Sequence, residues 1–258
     1  MTLRFKTLLY YSIFLFFSMT TISSCRKDSN IKIEKNHKKS TGSSSNDLLA
    51  SKDYNSLIVE LIIVSGQTPT QDALDNLKDM LEARLNKPNG ITFVTTNIPS
   101  PQKSKYSLDD IIAIEDEHRT QFTDNNSIAA SFIFIDGEYI ENTSDSKVLG
   151  IAYYNTSMVI FEETIKSFSG GIGKPARFKL ETVVINHEFG HILGLVNTGS
   201  AMQSQHQDVA HGAHCENEDC LMNWVAETGD AIENFLGTGP IPTFDNNCLN
   251  DLKSNGGK

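Results

Sequence analysis

The chain has 258 residues, with 22 Lys or Arg against 32 Asp or Glu, so its formal net charge at pH 7 is −10. So acidic a chain is a poor partner for a phosphate backbone, and we expect no nucleic-acid binding. No internal repeat of solenoid or propeller period is present, which argues against repeat architectures.

The first 24 residues have the pattern of a secretion signal. Arg4 and Lys6 precede an apolar run over residues 8–17, and small polar residues follow before Cys25. A positive start, a short apolar middle and small residues at a cleavage point are typical of such signals. Residues 22–25 read Ile-Ser-Ser-Cys, which resembles the lipobox of bacterial lipoproteins, in which the Cys is lipidated and becomes the new N-terminus.

That resemblance implies residues 1–24 as a lipoprotein signal peptide and a lipid anchor on Cys25. The mature protein would then be held on a membrane of the bacterial cell envelope, facing the periplasm or the exterior. Loss of Arg4 and Lys6 would make its formal net charge −12. The alternative is an ordinary secreted protein in which Cys25 lies near the cleavage point by chance.

Residues 25–53 are predicted to be the lipidated Cys and a flexible tether. They are rich in Lys, Ser and Asn and have no periodic apolar face. Residues 54–258 remain, about 205 residues, which suffices for one domain with a sizeable core. We expect this domain to be a monomer.

Strand and helix patterns alternate along the domain. The order predicts an α/β (α+β) fold in which crossover helices join the strands of a mixed, twisted sheet. Strands are expected over residues 57–64, 91–95, 130–135, 148–153 and 158–162, and helices over residues 70–86, 107–122 and 176–195.

The helix over residues 176–195 carries the sequence His187-Glu188-Phe189-Gly190-His191. Residues four apart lie on one face of a helix, so His187 and His191 are placed to bind one ion while Glu188 reaches a water on it. Two imidazoles and a carboxylate at this spacing predict a catalytic Zn²⁺ site. A catalytic zinc site needs a third protein ligand.

The third ligand is expected downstream of Gly194, where the metzincin pattern turns the chain out of the helix. That pattern places a His at the position that Asn197 holds here. His214-Cys215 and Cys220-Leu221-Met222 resemble the archaemetzincin motif, with residues 197–213 inserted before it. The resemblance is to metzincin-clan zinc metalloproteases, of the bacterial membrane-anchored lipoprotein kind.

The resemblance implies a zinc helix, a small irregular C-terminal subdomain, His214 as third ligand and Met222 beneath the metal. His206 and His211 remain open as alternative third ligands. His206, Asp208 and His211 are also open as ligands of a second ion or as groups that orient a ligand histidine.

Three cysteines remain after Cys25, namely Cys215, Cys220 and Cys248. Cys215 and Cys220 are expected to form a small disulfide loop, with a pair that includes Cys248, free thiols or metal binding as alternatives. The archaemetzincin pattern has paired downstream cysteines, whereas Cys248 stands alone. The sequence therefore does not predict a second, structural zinc site.

The function expected from these residues is that of a zinc-dependent endopeptidase. Glu188 would take a proton from a zinc-bound water as that water attacks a peptide carbonyl. In metzincins an edge strand pairs with the extended substrate, and residues 148–152 are the candidate here; Trp224 is expected to be wall or core. The alternatives are a catalytically silent, metal-containing surface binding protein and a zinc hydrolase of a non-peptide substrate.

Overall fold

A computed structural model describes residues 36–144, 146–227, 232, 236 and 239–258. The predicted signal peptide, Cys25 and the first part of the tether lie outside these residues. Within the described ranges, no helix is both long enough and apolar enough to cross a membrane.

The centre of the molecule is a mixed five-stranded sheet with the order β2-β1-β4-β7-β6. All neighbouring strands pair in parallel except β6, which runs antiparallel to β7 at one edge. Two short strands, β3 and β5, pair separately. The strands are β1 (Ser56–Val64), β2 (Ile91–Ile98), β3 (Lys105–Tyr106), β4 (Ser127–Ile135), β5 (Glu138–Tyr139), β6 (Gly150–Tyr154) and β7 (Ser157–Phe161).

The helices begin close to where the sequence predicts them. Thr70 and Ser107 cap the two crossover helices, and Ser107 forms a reciprocal capping box with Asp110. The helices are α1 (Ser45–Leu49), α2 (Gln71–Arg84), α3 (Leu108–His118), α4 (Glu162–Ser167), α5 (Arg177–Ile192) and α6 (Asn246–Ser254), with 3-10 turns at Asn36–Lys38 and Trp224–Glu227.

The core has two parts, one on each face of the sheet. Strand β1 is buried on both faces, as its nearly continuous apolar run predicts. Leu61 and Ile63 face the larger cluster, which α2 and α5 complete, whereas Ile62 and Val64 face the smaller one, which includes Ile111 of α3. The sheet therefore lies between helices, and the mixed α/β fold predicted from the sequence is confirmed.

The tether prediction is wrong from residue 36 onward, because residues 36–53 are packed onto the domain. Leu48 and Leu49 are fully buried in the larger cluster. The ammonium of Lys87 donates hydrogen bonds to the carbonyl oxygens of Asp47 and Tyr54, at 2.8 and 2.6 Å. The apolar pair is too short to produce a sequence period, yet its burial and these bonds fix the segment.

Candidate metal centre

Helix α5 positions His187 and His191 on one buried face. His187 Nδ1 donates a 2.7 Å hydrogen bond to the carbonyl oxygen of Leu221. Because a carbonyl only accepts, this bond places the proton on Nδ1 and leaves a lone pair on His187 Nε2. His187 Nε2 lies 3.1 Å from His191 Nε2. Burial, the largest effect, lowers the pKa of His191 to about 4, so its ring is neutral at pH 7.

The chain leaves α5 through a tight turn at Gly194, whose φ of +75° favours glycine. A Cβ at this position would lie 2.5 Å from the backbone nitrogen of Ser200, so a side chain is excluded by space as well. Asn197, which holds the usual third-ligand position, also has a positive φ of 66° and lies outside the metal-competent group. The inserted segment that starts here returns the chain to α5 at His214.

The structure brings His214 against the helical pair. Its ring centroid lies 5.3 Å from that of His187 and 5.1 Å from that of His191. His214 Nδ1 donates a 2.6 Å hydrogen bond to the carbonyl oxygen of His211, which again leaves the lone pair on Nε2. His214 Nε2 is buried and makes no hydrogen bond to any described residue.

The residues present fit a zinc ion. Three imidazole nitrogens are the ligand set of catalytic zinc sites, and two of the three are fixed in the metal-binding tautomer by backbone carbonyls. A buried nitrogen lone pair without a donor is costly unless a cation or proton faces it. His187, His191, His214 and Glu227 form a group whose ligand atoms all lie within 4.8 Å of one another.

Glu188 points from the same helix into the site. Its side chain is buried, and its Oε1 atom has no hydrogen-bond partner among the described residues. Burial and the negative charge of Glu227 raise the pKa of Glu188 well above its usual range, and a backbone hydrogen bond from Ala152 opposes this rise. A carboxylate with a raised pKa is suited to accept and return a proton.

Strand β6 forms the wall beside Glu188. It is an edge strand of the sheet, as predicted for residues 148–152, and its partner on the other side is β7. Gly150 and Ala152 both lie against the Glu188 side chain. The outer edge of β6, away from β7, is therefore next to the buried carboxylate, and on this edge the Ala152 carbonyl oxygen accepts a 3.1 Å hydrogen bond from Thr41 Oγ1.

Met222 packs against helix α5, and Trp224 packs against the loop that carries His214. Met222 is fully buried, and its sulfur occupies the space that a side chain at Gly190 would need. Trp224 stacks on His211, with ring centroids 4.4 Å apart and planes at 11°. Trp224 therefore packs against the loop that carries His214, in the wall position that was expected.

The sequence matches no protein-family model and no curated protein. Among solved structures, the crystal structure of archaemetzincin from Methanopyrus kandleri is similar, with a TM-score of 0.50 and 16% sequence identity. The similarity covers 78% of this chain and 96% of that chain. The chain has an archaemetzincin-like fold.

This archaemetzincin-like chain carries a second group of metal-binding side chains. His206, Cys215, Asp245 and Cys248 could hold a metal ion. His206 Nδ1 lies 3.4 Å from Cys215 Sγ, and His206 Nε2 bonds to Asp251 at 2.8 Å. His206 thus belongs to this second group and not to the first.

The expected disulfide between Cys215 and Cys220 is wrong, since Cys215, Cys220 and Cys248 are all free and buried. Cys220 Sγ and Cys248 Sγ are 3.7 Å apart, far longer than a disulfide bond of about 2.05 Å. The sulfurs instead converge with an imidazole and a carboxylate. Sequence reasoning left a second ion at His206 open but did not predict that Cys215, Asp245 and Cys248 would lie beside it.

Asp208 and His211 lie outside both groups. His211 Nδ1 is hydrogen-bonded to Asp208 Oδ2 at 2.6 Å, and its ring is partly exposed and stacks on Trp224, while its carbonyl oxygen orients His214.

Glu227, a member of the first group, was missed by sequence reasoning. It follows His191 by 36 residues and has no motif around it.

Proposed function

We propose that this archaemetzincin-like chain is a zinc-dependent endopeptidase, with Zn²⁺ held by His187, His191 and His214. The observation that carries the proposal is the convergence of three imidazole nitrogens, two with backbone-fixed tautomers, beside the unpartnered carboxylate oxygen of Glu188. When bound, zinc would lower the pKa of a coordinated water to about 7 and polarise the substrate carbonyl.

Glu188 is the proposed general base. The Ala152 backbone amide holds one side of its carboxylate, and the free oxygen Oε1 is available to accept a proton from the attacking water. Glu188 then passes this proton to the leaving amine. Burial around Glu188 excludes bulk water and strengthens each of these interactions.

The proposed substrate is an extended peptide or protein segment that pairs with the outer edge of β6. Pairing at Ala152 itself would require its bonds to Glu188 and Thr41 to break first. Backbone amides and carbonyls on such an edge bind an extended chain with little regard to its sequence. Pairing at β6 would bring the scissile carbonyl close to Glu188, because Gly150 and Ala152 contact that side chain.

We test this function by zinc content and casein cleavage of the purified protein. In Glu188→Gln, cleavage should fall by about 10²–10⁴-fold while zinc is retained, because the general base is lost and the ligands are not. Glu218→Gln, on the exposed loop between Cys215 and Cys220, is the matched control. Zinc should be lost in His187→Ala and His214→Ala but not in His211→Ala.

Undiminished cleavage by Glu188→Gln would refute the mechanism. Bound zinc without hydrolysis of any peptide library would favour a surface binding protein. Hydrolysis restricted to small esters or amides that are not peptides would favour another class of zinc hydrolase.

The proposed location is the bacterial cell envelope, through lipid on Cys25. Wild-type protein expressed with its signal should fractionate with membranes and incorporate labelled palmitate, whereas Cys25→Ser should be released and unlabelled. Release of both forms to the same extent would favour an ordinary secreted protein.

A further inference from the structure

Glu227 lies at the centre of the candidate metal site, although the proposed mechanism does not use it. Its Oε1 atom is 3.2 Å from His187 Nε2, 3.0 Å from His191 Nε2 and 2.9 Å from His214 Nε2. A single carboxylate oxygen thus faces all three imidazoles.

Hydrogen bonds account for only part of this arrangement, because His191 Nε2 can donate one to Glu227 Oε1 at 3.0 Å, whereas the other two rings are differently fixed. His187 and His214 carry their protons on Nδ1, where each donates to a backbone carbonyl. Their Nε2 atoms are therefore acceptors in the neutral rings, and Glu227 Oε1 is an acceptor as well. Acceptor atoms held this close repel each other unless a proton or a metal cation lies between them, and one metal ion would face all of them at once.

The separations match the edges of a tetrahedral zinc site. With zinc–ligand bonds of about 2.0–2.1 Å, tetrahedral geometry places ligand atoms about 3.3 Å apart. The His187–His191 separation is 3.1 Å, and the three separations from Glu227 Oε1 lie between 2.9 and 3.2 Å. These four separations are close to the length expected if Glu227 Oε1 were a fourth ligand.

We propose that Glu227 is a fourth protein ligand of the metal, which closes the coordination position that a water would need and keeps the resting enzyme self-inhibited. This inference rests on the proposed zinc site of His187, His191 and His214. Catalytic zinc sites leave one position open, whereas sites with four protein ligands are closed.

The backbone of Glu227 also blocks one end of the substrate edge. Leu149 N, just before β6, donates a 3.1 Å hydrogen bond to the carbonyl oxygen of Glu227, while Leu149 O pairs with Phe161 N of β7. The Trp224–Glu227 turn thus covers the metal position and the start of the outer edge of β6 together. Displacement of this turn, with Glu227 leaving the metal, would open both at once.

Cobalt substitution of the full mature protein tests the ligand set directly, because the visible spectrum of Co²⁺ reports its coordinating atoms. In the wild type we expect a spectrum that is constant from about pH 6 to 9 and unchanged by azide, since no exchangeable position is open. In Glu227→Ala the spectrum should shift with pH and with azide. Glu227→Gln keeps the side-chain shape, and Glu218→Gln is the control that should match the wild type.

Two further measurements follow the same variants. Chelator competition should show zinc bound at least about tenfold more weakly by Glu227→Ala, as expected on loss of a ligand. At saturating zinc, casein cleavage by Glu227→Ala should rise at least about tenfold above the wild type, because the metal position is open. Cleavage equal to the wild type would refute self-inhibition.

The failure of this inference is distinguishable from failure of the proposed function. A wild-type cobalt spectrum as sensitive to pH and azide as that of Glu227→Ala would overturn the role of Glu227 and leave the histidine site intact. Absence of bound metal from the wild type would overturn the zinc site and the inference together.

Discussion

Gly150, at the start of edge strand β6, lies directly against the side chain of Glu188. A Cβ atom at Gly150 would be 2.8 Å from Glu188 Cγ and 3.0 Å from Glu188 Oε1. Real Cβ contacts are longer, so Gly150→Ala should displace the carboxylate. Misplacement of a catalytic group by about 1 Å costs on the order of 10²-fold in rate, and we expect that loss of casein cleavage with zinc content unchanged.

Gly239→Ala is the matched control, because the nearest atom to its added Cβ would be an ordinary 3.7 Å away. It should cleave casein like the wild type. If Gly150→Ala also kept full activity, the position of Glu188 against β6 would be irrelevant to the reaction.

Gly190 and Met222 form the packing contact beneath the metal-binding face of α5. The Met222 sulfur fills the space of a Gly190 side chain, so Gly190→Ala overpacks the site. Alanine normally favours a helix over glycine by about 1 kcal/mol, but overpacking costs about 1–3 kcal/mol and should dominate. Urea unfolding should therefore show net destabilisation of Gly190→Ala.

A double-mutant cycle tests whether the cost of Gly190→Ala comes from its contact with Met222. Combined with Met222→Ala, the Gly190→Ala substitution should lose most of its penalty, because the sulfur is gone. If the losses of unfolding free energy were additive, the cost of Gly190→Ala would not come from a clash with the Met222 sulfur.

The second group, His206, Cys215, Asp245 and Cys248, predicts that the purified protein binds two metal ions. Cys248→Ser should lower the metal content from two equivalents to one, because a serine hydroxyl is a far weaker zinc ligand than a thiolate. The free energy of unfolding should also fall, since metal binding at a structural site contributes to folding.

Ser204→Ala on the neighbouring exposed surface is the control and should retain both ions. One equivalent of metal in the wild type, together with an unchanged melting temperature for Cys248→Ser, would show that the second group is only a cluster of buried polar side chains.

Much of the fold and half of the metal cluster follow from local sequence signals. His187, Glu188 and His191 are close in sequence and lie on one helix, whose period fixes their common face. The buried strands likewise follow from continuous apolar runs, as in β1 and β4. The Gly194 turn was predicted from the metzincin pattern, and the structure shows there a positive φ that favours glycine.

The parts that sequence reasoning missed depend on contacts between distant segments. Glu227 reaches the histidines only because the insertion after Asn197 folds back and presents the Trp224–Glu227 turn. Asp245 meets Cys215 across 30 residues, and no local spacing encodes that approach. Leu48 and Leu49 join the core because α1 packs beside the C-terminal segment, where Asn46 bonds to Asn255.

Glu162 and Glu181 share one partly exposed arginine, Arg177, which makes the stability of the protein depend on pH. Both carboxylates are fully buried, and Arg177 contacts Glu162 Oε1 at 2.7 Å and Glu181 Oε1 at 2.8 Å. One guanidinium does not neutralise two carboxylates. Burial first, and then the charge of Glu181, raise the pKa of Glu162 from its ordinary value of 4.5 to about 9.

A folded-state pKa above the unfolded value means that folding favours protonated Glu162. Its contribution to stability is fully present below about pH 4.5 and is lost as the pH rises towards about 9. Glu162→Gln mimics the protonated form at every pH. Between pH 5 and 9 we therefore expect the free energy of unfolding of Glu162→Gln to become about 1–3 kcal/mol larger than that of the wild type. Urea unfolding measures this difference.

Glu163→Gln tests whether this effect belongs to the buried pair, because Glu163 is exposed and accepts a hydrogen bond from the Gly137 amide. A Gln side-chain oxygen still accepts that bond, so the stability of this control should follow the wild type across the same pH range. If Glu162→Gln followed the wild type equally closely, Glu162 would have to be ionised in the folded protein at neutral pH. Arg177 would then neutralise both carboxylates, contrary to the charge balance argued above.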